Sequence, residues 1–333
     1  MKIYKKVCIP ATIYGLMTYL FHTEEQDILN TKFYTCHTIP ESVRKNLPNN
    51  TSINGHISKR IRLWYILKYK FLRLLTDPSL CFGEIYAQEH LPIAPYLISQ
   101  RQYIMLSDGP FFLTLGKKQK WVTDAWALYD STAGIKKLFW NYISQSMYGF
   151  YGRNKLCKAI LMTEPEELDY TKHIHKINLN LTDEWQRMSD NKKKLILQIF
   201  GVKESTVELL NRKKVILFTN PYSADGLITL NEQIQIYTDI LAKYNKEEVV
   251  IKPHPRDNID YRKYFKDYFV FDISMPSQLL NLVGPKFRTA IAICSTAVFD
   301  FDYPIEIDWI GTKIHPRILE EFGDVKLEDY KRN

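Results

Sequence analysis

The second half of the chain alternates short apolar runs with amphipathic segments, and this alternation restricts the fold more than any other feature. Strands are predicted at Lys214–Thr219, Glu248–Lys252, Phe269–Phe271, Thr289–Ile293 and Glu306–Ile310. Apolar residues at helical spacing separate them, most clearly over Leu230–Tyr244. Short connections between alternating strands and helices predict a parallel, doubly wound α/β sheet.

The first half is less regular but contains the same kinds of element. Predicted here are strands at Ile3–Ile9, Lys32–Cys36, Tyr103–Leu106 and Ala159–Met162, and a long helix at Ser58–Leu75. A chain of 333 residues has room for two domains. We predict them over residues 1–195 and 196–333, with a charged helical connector at Asp183–Leu210.

Composition narrows the classes of function. Hydrophobic residues make up 45% and charged residues 25%, which indicates a globular chain. A net charge of +8 favours an anionic partner, such as a nucleotide, an acidic sugar, nucleic acid or an anionic membrane surface. The 5 cysteines are scattered and show no zinc-ligand spacing, so reduced thiols and no structural metal are expected.

Residues Val7–Phe21 form an uncharged run after Lys2, Lys5 and Lys6. The run is too short to span a bilayer, polar residues interrupt it, and no small-residue cleavage site follows. We interpret it as a buried strand that leads into a helix at Thr12–Leu20. The expected location is the cytoplasm.

One histidine lies between two prolines directly after a predicted strand. Pro253 and Pro255 fix the backbone and stiffen the loop around His254. Lys252 and Arg256 are suited to bind phosphate oxygens, and His254 to donate a proton to them. The alternative is a structural loop whose histidine caps a helix.

Ser295 and Thr296 follow the predicted strand Thr289–Ile293 at the start of a predicted helix. Hydroxyl and backbone N–H groups at such a position bind anions, although a simple N-cap explains the pattern as well. Since the carboxyl ends of parallel strands meet at one edge of a sheet, we expect this pair and His254 to face one crevice.

Two Asp-Gly turns follow predicted strands and offer a carboxylate that could accept a proton from a sugar hydroxyl. They contain Asp108 and Asp225, and ordinary turn chemistry explains each of them equally. Glu232, at a predicted helix start, is a third candidate, with helix-capping electrostatics as its alternative. We place Asp225 slightly ahead of Asp108, because Asp225 lies on the same sheet as His254.

Ser58–Leu75 interleaves basic and apolar side chains. The pattern is compatible with peripheral attachment to anionic lipid, and equally with a helix whose aliphatic stems are buried on the sheet. No recognised nucleic-acid-binding module occurs, so we expect no nucleic-acid partner.

These segments together resemble the bacterial sialyltransferases, and most closely glycosyltransferase family 52, the lipooligosaccharide and capsule sialyltransferases. The matching segments are Lys252–Arg256, Ser295-Thr296, Thr219–Tyr244, Val7–Thr12 and Met275–Leu280. The resemblance is good over Lys214–Gly311 and thin elsewhere.

The resemblance implies a GT-B architecture, in which two Rossmann-like domains face each other across a cleft. It implies transfer of sialic acid from CMP-sialic acid, bound by the C-terminal domain, to a galactoside-type acceptor on the N-terminal side, with inversion at the anomeric carbon. His254 would be the general acid, and Asp225, Asp108 or Glu232 the general base. The candidates for binding the donor are Lys252, Pro255, Arg256, Ser295, Thr296, Asn220 and Ser277.

Both Asp-Gly turns lack the acidic residue that precedes them in the family pattern, so the resemblance leaves the base open. No metal or other cofactor is expected, because CMP is a monophosphate leaving group that one acid and several hydrogen-bond donors can stabilise. Two alternatives are a GT-B transferase with a UDP-sugar or CDP-glycerophosphate donor, and a non-enzymatic basic module that binds membranes. A homodimer, and contact with the inner face of the cytoplasmic membrane, are both compatible with the sequence.

Overall fold

The computed structural model describes residues 2–53, 64–110, 112–118, 120–131, 134, 151–254 and 256–330. It divides into two compact units, Met1–Gly201 and Val202–Asn333. The predicted boundary at 195/196 would cut the helix Asp190–Ile199. This helix belongs to the first unit, since Lys192 Nζ donates to the Phe21 carbonyl at 2.8 Å and Ile196 is fully buried.

A parallel sheet of seven strands forms the centre of the first unit. The strands are β1 Lys6–Ile9, β2 Thr31–Thr35, β3 Asn50–Ser52, β4 Glu84–Ala87, β5 Tyr103–Leu106, β6 Cys157–Met162 and β7 His175–Asn178. Their order is β3-β2-β1-β4-β5-β6-β7. The sequence predicts β1, β2, β5 and β6 but not the other three. The edge strands β3 and β7 are short and polar, so they lack the apolar run by which a buried strand is recognised.

Helices pack around this sheet. They span Ile13–His22, Glu25–Leu29, Glu41–Asn46, Arg73–Thr76, Ser79–Phe82, Ala94–Ile98, Phe112–Lys118, Lys120–Ser131, Leu181–Arg187 and Asp190–Ile199. Of the long helix predicted at Ser58–Leu75, residues 58–63 lie outside the described residues. From residue 64 the segment is helical, with a π-helical turn at Leu67–Phe71.

The second unit contains a parallel sheet of five strands. They are β8 Val215–Phe218, β9 Val249–Lys252, β10 Phe269–Val270, β11 Thr289–Ala292 and β12 Glu306–Trp309. Their order is β10-β9-β8-β11-β12, so that Leu217 of β8 lies between Ile251 of β9 and Ile291 of β11. The predicted parallel, doubly wound α/β fold is thus confirmed in this half of the chain.

The helices of this unit span Glu204–Leu210, Leu230–Leu241, Tyr261–Tyr264, Ser277–Val283 and Pro316–Phe322. The segment Asp183–Leu210, predicted to be a charged helical connector, is helical as three separate helices rather than one. Ser189 separates the first two of these helices. It caps the second one, because its Oγ accepts a hydrogen bond from Lys192 N at 3.1 Å. Gly201 follows the end of the second helix with a φ of +75°, a conformation that glycine adopts readily at the end of a helix.

Candidate active site

The five-stranded sheet reverses its winding direction between β8 and β11, and such a point opens a crevice at the carboxyl ends of the strands. Asn220 lies just beyond β8, and Cys294 lies just beyond β11. Asn220 Nδ2 is 4.0 Å from Cys294 Sγ, and the Tyr222 hydroxyl is 3.0 Å from the same sulfur. Asn220 Oδ1 is buried and has no hydrogen-bond partner among the described residues. This buried acceptor, unpaired in the described part of the chain, thus lies at the point where the sheet reverses.

His254 is held in one orientation by two backbone hydrogen bonds. Its own N–H donates to Thr219 Oγ1 at 3.0 Å, and its ring Nδ1 accepts from the N–H of Arg256 at 3.1 Å. Since Nδ1 is the acceptor, Nε2 carries the proton of the neutral ring. Burial lowers the pKa of His254, and the charge of Arg256 lowers it further, while Asp257 and Asp225 act in the opposite sense. Nε2 is therefore a fixed hydrogen-bond donor.

Asp225 joins the turn after β8 to the loop after β9. Its Oδ1 lies 3.0 Å from Arg256 Nη1, and both side chains reach solvent. Gly226, which follows, has a φ of +76° that favours glycine, as expected for an Asp-Gly turn. The structure thus brings together Asp225, Arg256 and His254, which lie in two separate segments of the sequence.

Gln233 connects the two loops from inside the unit. It is 1% exposed; its Oε1 accepts from Ser223 N at 2.7 Å, and its Nε2 donates to the Asn220 carbonyl at 3.1 Å and the Tyr261 hydroxyl at 2.8 Å. Gln233 was not among the site residues predicted from the sequence. The available signal was a glutamine three residues before Ile236, on the apolar face of a helix, where a polar side chain needs buried partners.

Asp257 holds the loop after β9 in place through hydrogen bonds of its carboxylate. Its Oδ2 accepts from the Tyr261 hydroxyl at 2.7 Å and from Thr219 Oγ1 at 3.3 Å. Thr219 in turn accepts the backbone N–H of His254, so the carboxylate orients the histidine through one hydroxyl. From the sequence, neither Asp257 nor Thr219 was predicted to have a role of its own in the site.

A cavity of about 360 Å³ opens beside His254, between the ends of β9 and β10. Its walls include Lys252, His254, Asp257, Ile273 and Ser274. Lys252 is 6% exposed, and its Nζ donates to the Ile273 carbonyl at 3.1 Å. Burial lowers the pKa of Lys252 to about 8. A cavity of this size with a few polar groups is typical of a small-molecule site.

Two of the remaining donor-binding candidates, Ser295 and Ser277, have structural partners. Ser295 Oγ accepts from Ala297 N at 3.4 Å and caps the short 3₁₀ helix Thr296–Phe299, where a helix was predicted. Thr296 is exposed, and the Ser277 hydroxyl bonds to the Asp300 carboxylate. The predicted contact residue Pro255 lies outside the described residues.

Glu232 takes part in a reciprocal helix cap. Its Oε2 accepts from the backbone N–H of Thr229 at 2.7 Å, and its own N–H donates to Thr229 Oγ1 at 3.2 Å. His315 Nε2 lies 3.6 Å from the other carboxylate oxygen. The contacts with Thr229 lower the pKa of Glu232, and His315 adds to this effect.

Asp108 lies at the corresponding edge of the seven-stranded sheet, directly after β5. Its Oδ1 accepts from Gln88 Nε2, and its Oδ2 is 3.3 Å from His90 Nε2. Gln88 Oε1 accepts from the N–H groups of Ala11 at 2.6 Å and Thr12 at 2.8 Å, where the chain leaves β1. One amide therefore joins the ends of β1, β4 and β5 next to the candidate base.

Glu89 is a buried carboxyl group in the same region. Its Oε1 accepts from Gly152 N at 3.1 Å, and its Oε2 has no partner among the described residues. Burial raises the pKa of Glu89 to about 8. The turn that it binds holds Tyr151 parallel to the His90 ring, with centroids 6.0 Å apart. The sequence does not predict this set of residues, because they come from segments far apart in the chain.

Within the described ranges, no group of three or more His, Cys, Asp or Glu side chains is placed to hold a metal ion. The five cysteines are all free thiols. None of the helices in these ranges is both long and apolar enough to cross a membrane.

The family model of glycosyltransferase family 52 matches residues 128–318, more than half of the chain. The chain belongs to glycosyltransferase family 52. This glycosyltransferase is also 33% identical over 245 residues to an uncharacterised protein of Haemophilus influenzae, an alignment that covers 73% of each chain. The predicted family is thereby confirmed.

The fold of this glycosyltransferase occurs in a solved structure. It is similar to a 2,6-sialyltransferase of Photobacterium sp. JT-ISH-224, solved with the donor product CMP and the acceptor lactose, with a TM-score of 0.55 and 14% identity. The similarity covers 93% of this chain and 71% of that one. A sialyltransferase of Photobacterium damsela aligns with a TM-score of 0.49 and 11% identity, over 99% of this chain and 81% of that one.

Proposed function

We propose that this glycosyltransferase moves sialic acid from CMP-sialic acid to a galactoside-type acceptor of a bacterial surface glycan, either lipooligosaccharide or capsule, with inversion. One observation carries the proposal: His254, whose Nδ1 is occupied by a backbone N–H, lines a cavity of about 360 Å³ at the carboxyl end of a parallel sheet. The fold shared with a transferase that was solved with CMP and lactose is consistent with it.

His254 acts on the leaving phosphate in this proposal. The bond between the anomeric carbon and the phosphate oxygen breaks, and its electron pair goes to that oxygen. A phosphate monoester has a second pKa of about 6, so a hydrogen bond or a proton from Nε2 is enough to stabilise the departing phosphate. An anion beside the ring also raises its proton affinity, which makes proton donation easier once the donor is bound.

A carboxylate accepts the proton of the acceptor hydroxyl while the new bond to the anomeric carbon forms. We keep Asp225 ahead of Asp108, because Asp225 is held by Arg256 in the loop that follows His254. Glu232 comes third, since its carboxylate already serves the helix cap and contacts His315.

The positive charge that phosphate departure requires comes from the protein in this proposal, and the reaction needs no metal or other cofactor. The Arg256 guanidinium supplies charge and hydrogen bonds directly. Lys252, whose pKa burial lowers to about 8, is still mainly protonated at neutral pH, and an anion in the cavity would stabilise its charge.

The test is incubation of the purified chain with CMP-sialic acid and a panel of lactosides, with and without EDTA. We expect CMP release together with a sialylated product, detected by mass spectrometry and unaffected by EDTA. UDP-sugars and CDP-glycerol serve as donor controls. Turnover with one of these, and none with CMP-sialic acid, would refute the donor assignment. Stabilisation of the fold by CMP but not by UMP or UDP checks donor binding separately from chemistry.

A further inference from the structure

Large apolar side chains lie exposed on the segment 64–82 of the first unit. The group, here named the apolar patch, consists of Trp64, Leu67, Phe71, Leu72, Leu74, Leu75 and Phe82. Their exposed fractions run from 37% for Leu72 to 74% for Leu75. Soluble monomers rarely leave a group of this kind in water, and larger patches mark surfaces that bind proteins or membranes.

The opposite face of the segment is fixed to the unit. Tyr65 and Tyr69, four residues apart, are buried in the core of the first unit. Arg73 Nη2 donates to the Leu97 carbonyl. Trp64, Leu67, Phe71 and Leu74 recur every three or four positions, which places these four along the other side of the helical segment. The apolar patch is therefore a surface presented by an anchored element.

Positive charge accompanies the apolar patch. Lys68 and Lys70 lie between its members, and Lys68 Nζ is 5.0 Å from the centre of the Tyr69 ring. No Asp or Glu occurs in the sequence between Glu41 and Asp77, whereas this stretch contains eight Lys and Arg residues. Apolar side chains interleaved with lysines, without acidic residues, suit a partner surface that has an apolar layer beneath a negatively charged outer layer.

We propose that the apolar patch docks on the surface of an anionic lipid bilayer. Its aromatic and leucine side chains enter the boundary between headgroups and acyl chains, and Lys68 and Lys70 lie at the level of the lipid phosphates. A second copy of this chain fits less well. In a two-fold pairing through the same patch, each lysine would meet like charge. The proposal does not depend on the donor or acceptor of the enzyme.

The test mixes the 333-residue chain with phosphatidylcholine vesicles, with and without phosphatidylglycerol, and measures the bound fraction by sedimentation. We expect binding to the anionic vesicles that weakens with added salt. The double variant Leu74→Glu/Leu75→Glu should bind at least about tenfold more weakly, because two apolar contacts are lost and two negative charges are added. Leu209→Glu is the matched control, since Leu209 is an exposed leucine (47%) of the second unit, and it should bind like the wild type.

A second double variant, Lys68→Gln/Lys70→Gln, keeps the apolar patch and should lose the preference for anionic vesicles. It also keeps the test decisive if the glutamate variant does not fold by circular dichroism. The proposal is overturned if the wild type does not bind anionic vesicles, or if the patch variants bind as the wild type does. A dimer in light scattering that becomes a monomer in Leu74→Glu/Leu75→Glu, without vesicle binding, would assign the patch to a second copy instead.

Discussion

Replacement of the buried Glu89 by glutamine should remove a pH dependence from the stability of the first unit. Burial raises the pKa of Glu89 to about 8, against an ordinary value of 4.5. Below the ordinary value the carboxyl group is protonated in both folded and unfolded chains. Between the two values only the unfolded chain releases its proton, so the free energy of unfolding falls as the pH rises. Above about 8 both states are ionised and the loss is complete.

The magnitude follows from the width of this interval. Each pH unit within it lowers the free energy of unfolding by about 1.4 kcal/mol, so the loss between pH 5 and pH 7 is about 3 kcal/mol. A glutamine keeps an oxygen for the N–H of Gly152 and has no proton to release. The variant should therefore match the wild type near pH 5 and exceed it at pH 7.

The assay is urea unfolding at pH 5, 6, 7 and 8, followed by circular dichroism and tryptophan fluorescence, with the transition of the first unit fitted separately. The exposed Glu208→Gln serves as the control and should follow the wild-type pH profile. Parallel pH profiles for the wild type and Glu89→Gln would refute the reasoning, because the buried carboxyl group would then be ionised or solvated in the folded state.

Three further predictions concern the candidate site. His254→Ala should keep the fold and lower turnover by roughly 10²–10⁴-fold, as expected on removal of a general acid; wild-type turnover would exclude His254 from the mechanism. The double variant Ser295→Ala/Thr296→Ala should lose affinity for CMP in calorimetry, and unchanged binding would leave these residues as a helix cap. The base is tested by three substitutions, Asp225→Asn, Asp108→Asn and Glu232→Gln. The variant that lacks the true base should lose most of its turnover, retain donor affinity and no longer show the acidic limb of the pH–rate profile. If none of the three variants behaves in this way, the acid–base assignment is wrong.

The strands of the second unit could be predicted from the sequence because they are short apolar runs, and short connections join them to the helices on either side. The interior strands β8, β9 and β11 are buried at every position, which gives them an unambiguous pattern. In the first unit, β4 carries a glutamate and β7 contains polar residues at both ends, so neither resembles a buried strand.

The site was only partly predictable for a related reason. His254 and Arg256 belong to one rigid loop, so their proximity follows from the sequence alone. Gln233 and Glu89 act through partners that are distant in the chain or on another element, and a single sequence contains no record of such contacts. Their buried positions become visible only when the helix and strands around them are assembled.

The hydrogen bonds of Gln233 determine what can be exchanged between related enzymes as a module. The loop after β8 is fastened at Asn220 and Ser223 by a side chain from the helix Leu230–Leu241. If this loop were moved into a relative without the helix, it would lose the side chain that holds it. If the helix were replaced in this chain, the Tyr261 hydroxyl would lose a hydrogen-bond donor as well. The smallest segment that can be exchanged as a unit therefore runs from β8 through the end of that helix. Variants designed to change the crevice should replace this whole segment together.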